Sequence, residues 1–251
     1  GLVLQVFDLN FERLQASFAV ADSVSLVVAE LGDAGVLDAI VAGVDLVVSV
    51  LPPTMHISVA KACLKHGSHL FTASYTSSEM KSLGDEAEAK GLLFMNELGL
   101  DPGIDHLSAS KLFDHAKSLG LEVVTFESHC GGLVDEACCE NNPWKYKFTW
   151  NPRNVVLAGQ GGKSKWIANG ELYQIAPTEV FKHVKRFDFP GLGEIEAYPN
   201  RDSLSYIDQY HLNGVKTMLR GTLRRVGYCQ AWQVLIDAGF TDDEKGQELV
   251  F

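Results

Sequence analysis

The sequence predicts an α/β protein: a doubly wound parallel sheet over residues 1–120, followed by an α+β part over residues 121–251. Two observations predict it. In the first half, short apolar runs alternate with stretches of helical spacing, and most of the runs are apolar on both faces, as strands covered on both sides must be. In the second half the spacing changes to strict alternation of apolar and polar residues, the mark of strands with one buried face. The 251 residues are 46% hydrophobic and 21% charged, an ordinary globular composition. A net charge of -11 argues against nucleic acid or an anionic membrane as partner. No apolar run is long enough to span a bilayer, and no signal-peptide pattern starts at Gly1. The five cysteines are Cys63, Cys130, Cys138, Cys139 and Cys229. Their irregular spacing predicts free thiols in a reducing compartment, and a cytoplasmic location is expected. Cys138-Cys139 has no Cys-x-x-Cys or histidine pair to complete a metal set, so no metal is expected.

In chain order, Leu2 to Phe7 reads as a strand and Asn10 to Ala16 as a helix. Val24 to Ala29 is the next strand, with a helix over Ala34 to Ala42. Val44 to Leu51 is a nearly continuous apolar strand stopped by Pro52-Pro53, and His56 to Lys65 is helical. His69 to Thr72 is a strand, Ser77 to Lys90 a single helix, and Gly91 to Met95 a short buried strand. After it stands NELGLDPGIDH, Asn96 to His106. There Asp101 reads as a helix N-cap and Pro102 as the first helical residue. Right-handed crossovers bring every strand's carboxyl end to one edge, where open parallel sheets bind ligands. Asp8, Glu30, Val50, Ser74 and Asp101 all fall at or near such ends.

A Rossmann-like sheet that binds a dinucleotide needs a first strand and a glycine-rich turn for the pyrophosphate. The chain opens at what reads as the second strand, so that strand and turn are expected to be missing from this sequence. Asp8 is the type of acid that binds a ribose hydroxyl after the second strand. The cluster Gly159-Gln160-Gly161-Gly162 is a poor substitute for the missing turn and reads as a flexible surface loop.

In the second half, Leu121 to Ser128 is a strand ending at Cys130-Gly131-Gly132. Trp144, Tyr146, Phe148 and Trp150 alternate with polar residues and predict a strand with an aromatic face, with Trp150 the candidate ligand contact. Tyr198 to Asp202 is a turn carrying Arg201. Along Val215 to Arg224, one face holds Lys216, Met218, Arg220, Thr222 and Arg224. Two arginines and a hydroxyl on one face are either a carboxylate site or a solvated edge. An amphipathic helix over Gln230 to Ala238 ends at Gly239, and the acidic tail reads as a fragment boundary.

With these residues in view the sequence resembles the glutamate-forming saccharopine dehydrogenases. The matching stretches are LVVSVLPPTMH from Leu46, TASYTS from Thr72, NELGLDPGIDH from Asn96, SHCGG from Ser128, NNPWKYKFTW from Asn141, YPNRDS from Tyr198 and RGTLR from Arg220. They stand in the family's order and cover nearly the whole chain. The resemblance implies a nicotinamide-dependent oxidation of saccharopine to glutamate and aminoadipate semialdehyde, or the reverse condensation. It implies that Ala73, Ser74, Arg201, Thr222, Leu223 and Arg224 hold saccharopine. The cofactor would meet Phe7, Asp8, Leu9, Ala29, Glu30, Val50, Thr72, Ala73, Gly99, Leu100, Asp101 and Trp150. Asp101 is the first candidate for proton transfer, with Cys130 and Tyr75 behind it. NADP-using members of the family carry an arginine where Leu9 stands, so NAD is expected over NADP. A homodimer is expected. Two alternatives stand at this stage: a related opine-type reductase such as carboxynorspermidine dehydrogenase, and a non-catalytic ligand-binding or dimerisation module.

Overall fold

The computed structural model describes residues 1–18, 22–139, 141–149, 151–160 and 162–242. The chain divides into two units, Gly1–Leu107 and Ser108–Phe251. In the first, strands and helices alternate: β1 (Leu4–Asp8), α1 (Phe11–Ser17), β2 (Val24–Val28), α2 (Ala34–Val41), β3 (Leu46–Ser49), α3 (His56–His66), β4 (His69–Thr72), α4 (Ser78–Ser82), α5 (Gly84–Ala89) and β5 (Phe94–Met95). Helix α6 (Ile104–Ser118) carries the chain into the second unit. The pairings β1–β2, β3–β4 and β4–β5 are all parallel. The expected single sheet is corrected in one respect. Among the described residues, β1–β2 and β3–β4–β5 are separate sheets, because neither β1 nor β3 has a hydrogen-bonded neighbour on its far side.

Local chemistry sets the helix ends. The Asp33 carboxylate accepts from the Gly35 and Val36 amides and starts α2. Gly67, at φ +78°, closes α3 in the left-handed conformation that a side chain would resist. The single helix expected over 77–90 is broken at Leu83. The Ser82 hydroxyl donates to the Glu79 carbonyl at 2.7 Å, and Gly84 follows, so the backbone tightens there and restarts. Leu37, Val41, Val59, Ala60, Cys63, Leu70 and Met80 form the core under β3 and β4. Burying each large apolar side chain is worth roughly 1.5–3 kcal/mol.

The second unit contains β6 (Thr125–Cys130), α7 (Pro152–Val156), β7 (Ser164–Ala168), β8 (Glu171–Ile175), β9 (Lys185–Phe189), β10 (Gly193–Pro199), α8 (Ser205–Gln209), β11 (Thr217–Arg225) and α9 (Tyr228–Asp237). Strand β11 is its axis: it runs antiparallel to β10, parallel to β6, and touches β7 at Met218. One face of this sheet meets an aromatic core of Phe181, Tyr198, Tyr228 and Trp232, backed by Trp144 and Tyr146.

Two expectations fail in this unit. Residues 144–149 are not a strand. Lys145 stands at φ +46°, which ends any extended run. The Asn142 side chain ties the turn down, accepting from the Trp144 amide and donating to the Tyr146 carbonyl. Trp150 lies outside the described residues. Nor does the glycine cluster at 159 lie wholly at the surface, although Gly162 is exposed. Gly159 is buried at the end of a 3-10 turn (Leu157–Gly159), where a Cβ would stand 2.3 Å from Ile236 Cδ1; Gly161 lies outside the described residues.

Candidate active site

In the first unit two strand-end loops are zipped together. One follows β4 and reads Ala73-Ser74-Tyr75-Thr76; the other follows β5 and runs from Asn96 to Gly103. The Leu98 amide donates to the Thr72 carbonyl at 3.0 Å and the Glu97 amide to the Ser74 carbonyl at 3.1 Å. Thr72, itself buried, donates its hydroxyl to Asn96 Oδ1. Glu97 sits at φ +62°, and its carboxylate accepts from both the amide and the hydroxyl of Thr76 while facing His106 Nε2 at 3.2 Å. These partners hold a non-glycine residue in the left-handed region, a costly conformation that clusters at functional sites.

Asp101 is not the helix cap the sequence suggested. Gly103, at φ +147°, is not helical, and α6 begins only at Ile104. The first helical amides, Ile104 and Asp105, donate to the Gly99 and Leu100 carbonyls instead. Asp101 accepts a 2.7 Å hydrogen bond from the Tyr75 hydroxyl, so two of the expected proton-transfer candidates lie in contact. The glycines of this motif have a steric reason. A Cβ on Gly103 would meet the Gly99 carbonyl oxygen at 2.2 Å, and one on Gly99 would crowd the Ala73 carbonyl at 3.3 Å.

The remaining first-unit candidates lie at strand ends. Phe7, Asp8 and Leu9 end β1, where the Asp8 carboxylate accepts from the Asn10 amide at 2.9 Å. Ala29 and Glu30 follow β2, and the Ala29 amide donates to the Asp8 carbonyl. Val50 follows β3 and is 83% exposed; Leu9 and Leu100 are also exposed apolar side chains. Such a set at the carboxyl ends of parallel strands suits a flat, partly apolar ligand.

The second unit holds the other group. In register, Thr222 lies beside Cys130 on β6 and opposite Tyr198 on β10. The Thr222 hydroxyl donates to Asn200 Oδ1 at 2.7 Å, and the Asn200 amide donates to the Arg220 carbonyl. These bonds fasten the Tyr198–Asp202 turn to β11, so Arg201 projects from a fixed point; its exposed guanidinium donates to the Leu157 carbonyl. Gly221 and Gly131 are compulsory. A Cβ on Gly221 would meet His129 Nδ1 at 2.5 Å, and one on Gly131 the Leu223 carbonyl oxygen at 2.3 Å.

The arginine-bearing face is buried, not solvated. Arg220 stacks over the Tyr206 ring at 4.0 Å. Arg224 is 6% exposed and lies over Tyr146, Tyr228 and Tyr198, 4.7–5.8 Å from the ring centres. It donates to the Leu223 carbonyl and reaches the Tyr198 hydroxyl at 3.5 Å, while its Nε has no hydrogen-bond partner. Burial pushes the Tyr198 and Tyr228 phenols up, so neither supplies an anion. Glu196 stands opposite Arg224 in the register, but its carboxylate accepts from the Cys229 amide at 2.7 Å. Among the described residues, then, no carboxylate pairs with this buried guanidinium. Cation–π contact returns about 0.5–2 kcal/mol for each such ring, less than the desolvation of a full charge.

Sequence reasoning missed His56, Asn96, Thr76 and Glu97, which hold the first group, and the tyrosines around Arg224. For His56 and Glu97 a signal existed, since both lie inside the quoted motifs. Tyr146 and Tyr198 also lie inside quoted motifs and Tyr228 does not, but no spacing in the sequence brings the three together around one arginine.

Parallel strand ends carrying a polar loop pair, followed by a mixed sheet with a buried arginine, define an α/β protein with a Rossmann-like part and an α+β part. Comparison with known sequences gives the family. A profile of the saccharopine dehydrogenase NADP binding domain matches residues 6–95, and one of the saccharopine dehydrogenase C-terminal domain matches residues 99–250. The chain belongs to the saccharopine dehydrogenase family, as its motifs suggested. It is 39% identical over 235 residues to saccharopine dehydrogenase [NADP(+), L-glutamate-forming] of Pyricularia oryzae, covering 93% of this chain and 51% of that one. It is 40% identical over 212 residues to alpha-aminoadipic semialdehyde synthase of Arabidopsis thaliana, covering 83% and 20%. The solved structure of apo saccharopine dehydrogenase (L-Glu forming) from Saccharomyces cerevisiae matches with a TM-score of 0.82 at 29% identity, over 98% of this chain and 60% of that one. The chain thus spans about half the length of the saccharopine dehydrogenases it matches.

Proposed function

We propose that this chain serves the nicotinamide-dependent interconversion of saccharopine with glutamate and aminoadipate semialdehyde. The observation that carries the reading is Arg224, a buried guanidinium with no carboxylate partner among the described residues, on a strand that also presents Thr222. A polycarboxylate ligand would relieve that charge through paired hydrogen bonds. The relatives' names support the same substrate class. On this reading residues 1–120 form the nucleotide domain and residues 121–251 the substrate domain. Phe7 to Leu9, Ala29, Glu30, Val50, Thr72, Ala73 and Gly99 to Asp101 hold the nicotinamide nucleotide, which supplies hydride acceptance when bound; Trp150 completes that set. Ala73, Ser74, Arg201, Thr222, Leu223 and Arg224 hold saccharopine. Asp101, steadied by the Tyr75 hydroxyl, takes the proton of the substrate amine, with Tyr75 itself and Cys130 as further carriers.

The preferred cofactor in this reading is NAD. Asp8 followed by Leu9 offers a carboxylate to ribose hydroxyls and repels a 2′-phosphate. No lysine or arginine occurs between Leu2 and Glu12. The family profile and several relatives bear NADP in their names, so this preference would set the chain apart from them. The reading also takes the protein to be a homodimer, which light scattering reads as mass. It takes the location to be cytoplasmic, supported by five cysteines that form no disulfide; a relative from Mus musculus is named mitochondrial. Among the described residues no helix is long and apolar enough to cross a membrane.

The test is a steady-state assay of the protein carrying this chain, with saccharopine against carboxynorspermidine and NAD against NADP. Saccharopine-dependent reduction of NAD, weakened by Asp8→Ala, is expected. Turnover of carboxynorspermidine alone would replace the substrate assignment, and equal or better use of NADP would remove the cofactor preference.

A further inference from the structure

A buried histidine lies behind the candidate site. His56, the first residue of α3, is 4% exposed. Pro52-Pro53 ends the β3 run and turns the chain back through a 3-10 turn (Pro53–Met55), which brings His56 under the end of β3. Its Nδ1 lies 2.9 Å from the Ser49 hydroxyl, and its Nε2 lies 2.9 Å from the Ser74 hydroxyl. Ser49 is also 4% exposed; Ser74, on the loop after β4, is only partly buried.

The two hydroxyls differ in what else they can reach. Among the described residues, Ser49 Oγ has one hydrogen-bond partner, His56 Nδ1. A buried hydroxyl proton with no acceptor is more costly than an unused oxygen lone pair. Ser49 therefore donates to Nδ1, and the imidazole proton belongs on Nε2. Burial holds the ring's basicity below its ordinary value, so it stays neutral and carries that single proton. Nε2–H then donates to Ser74 Oγ. Ser74 spends an acceptor position on His56 and keeps its own proton for something else. Its backbone is fixed as well, since its carbonyl accepts from the Glu97 amide.

We infer that His56 is a positioning residue that, protonated on Nε2, turns Ser74 into a dedicated hydrogen-bond donor towards a carboxylate or carbonyl oxygen of the ligand. The other tautomer would have Ser74 donating inward and presenting lone pairs, the wrong polarity for an anionic group. The identity of the ligand rests on the saccharopine reading above; the tautomer does not.

The test has two parts that fail separately. Long-range nitrogen–proton NMR on the full chain at neutral pH, assigned with His56→Asn, reads the ring without any ligand. A protonated Nε2 and an unprotonated Nδ1 are expected; a proton on Nδ1, or on both nitrogens, overturns the inference. Calorimetric titration with saccharopine then compares wild type, His56→Asn, Ser74→Ala and the double variant. Ser74→Ala should weaken binding about tenfold, the scale of one hydrogen bond to a charged acceptor. The double variant should be no weaker than Ser74→Ala alone, because His56 acts through Ser74. Losses that add, or unchanged affinity in His56→Asn, overturn it. A purely structural histidine would lower the melting temperature without this coupling. If saccharopine does not bind the wild type, the functional reading falls, and the tautomer alone decides the role of His56.

Discussion

The two groups of candidate residues are built on opposite plans. In the first unit, the loops after β4 and β5 are half-exposed and held by hydrogen bonds between hydroxyls, amides and two carboxylates: Thr72 to Asn96, Thr76 to Glu97, Tyr75 to Asp101. In the second unit, Arg224 is sealed among tyrosines, with no carboxylate paired to it among the described residues. The first plan fixes the directions of hydroxyl, amide and carboxylate groups around a loop. The second holds a cation among aromatic rings inside a sheet. A flat nucleotide with many polar atoms suits the first; a small polycarboxylate suits the second. The contrast can be broken by variants that affect one plan and spare the other.

The largest effect is expected from Arg224→Met. If the arginine waits for a ligand carboxylate, affinity for saccharopine should fall by roughly 2–5 kcal/mol. Folding stability should hold or rise, because an unpaired buried charge has been replaced by an apolar chain of similar length. Denaturant melts beside calorimetry read both signs. A large loss of stability with unchanged affinity would make Arg224 a structural residue.

Next come the glycines. Gly131→Ala places a methyl against the Leu223 carbonyl oxygen, and Gly103→Ala places one against the Gly99 carbonyl oxygen at a φ that side chains avoid. Each should cost about 1–3 kcal/mol through overpacking, with Gly103→Ala the greater because backbone strain is added. Saccharopine binding should suffer in the first variant and nucleotide binding in the second. Wild-type melting curves for both would mean that the loops are looser than described.

A smaller effect separates Asp101 as ligand from Asp101 as cap. Losing a true N-cap costs about 0.5–2 kcal/mol. Since α6 starts at Ile104, Asp101→Ala should change stability by less than this while reducing turnover. Tyr75→Phe should act in the same direction on turnover. A cap-sized loss of stability with full turnover would restore the cap.

The smallest effect is in pH. Burial lowers the basicity of His56 in the first unit and His129 in the second, the latter against the opposing pull of Glu127. Between the ordinary histidine value of 6.5 and each depressed folded value, the unfolded chain binds more protons. Stability should therefore be full above 6.5 and decline as pH falls below it. Glu127 adds a second decline at lower pH. Burial opposes its charge, but Lys185 and His129 outweigh that and hold it below the ordinary carboxylate value of 4.5. Denaturant melts of His56→Asn should show a flatter profile in the first window; an unaltered slope would place the titration elsewhere.

The first unit was legible because parallel strands announce themselves by apolar runs and their ends by polar residues; β4 was bounded correctly from His69 to Thr72. Asp101 was misread because Asp-Pro before a helical pattern looks like a start, while Gly103 stands outside helical geometry and delays the helix to Ile104. The separation of β1–β2 from β3–β5 was invisible, since no single run says which neighbour it will pair with. Alternation in the second unit gave β11 and its arginine face. It misled from Trp144 onward, where Trp144 and Tyr146 lie in a loop against Trp232 and Tyr228.

The division of labour can be read directly from backbone amide NMR shifts of the full chain on adding NAD and, separately, saccharopine. NAD should perturb residues 7–9, 29–30, 50, 72–73 and 99–101, and saccharopine 73–74, 201 and 222–224. Perturbation of the same second-unit residues by both ligands, or none at the first-unit strand ends with NAD, would contradict it.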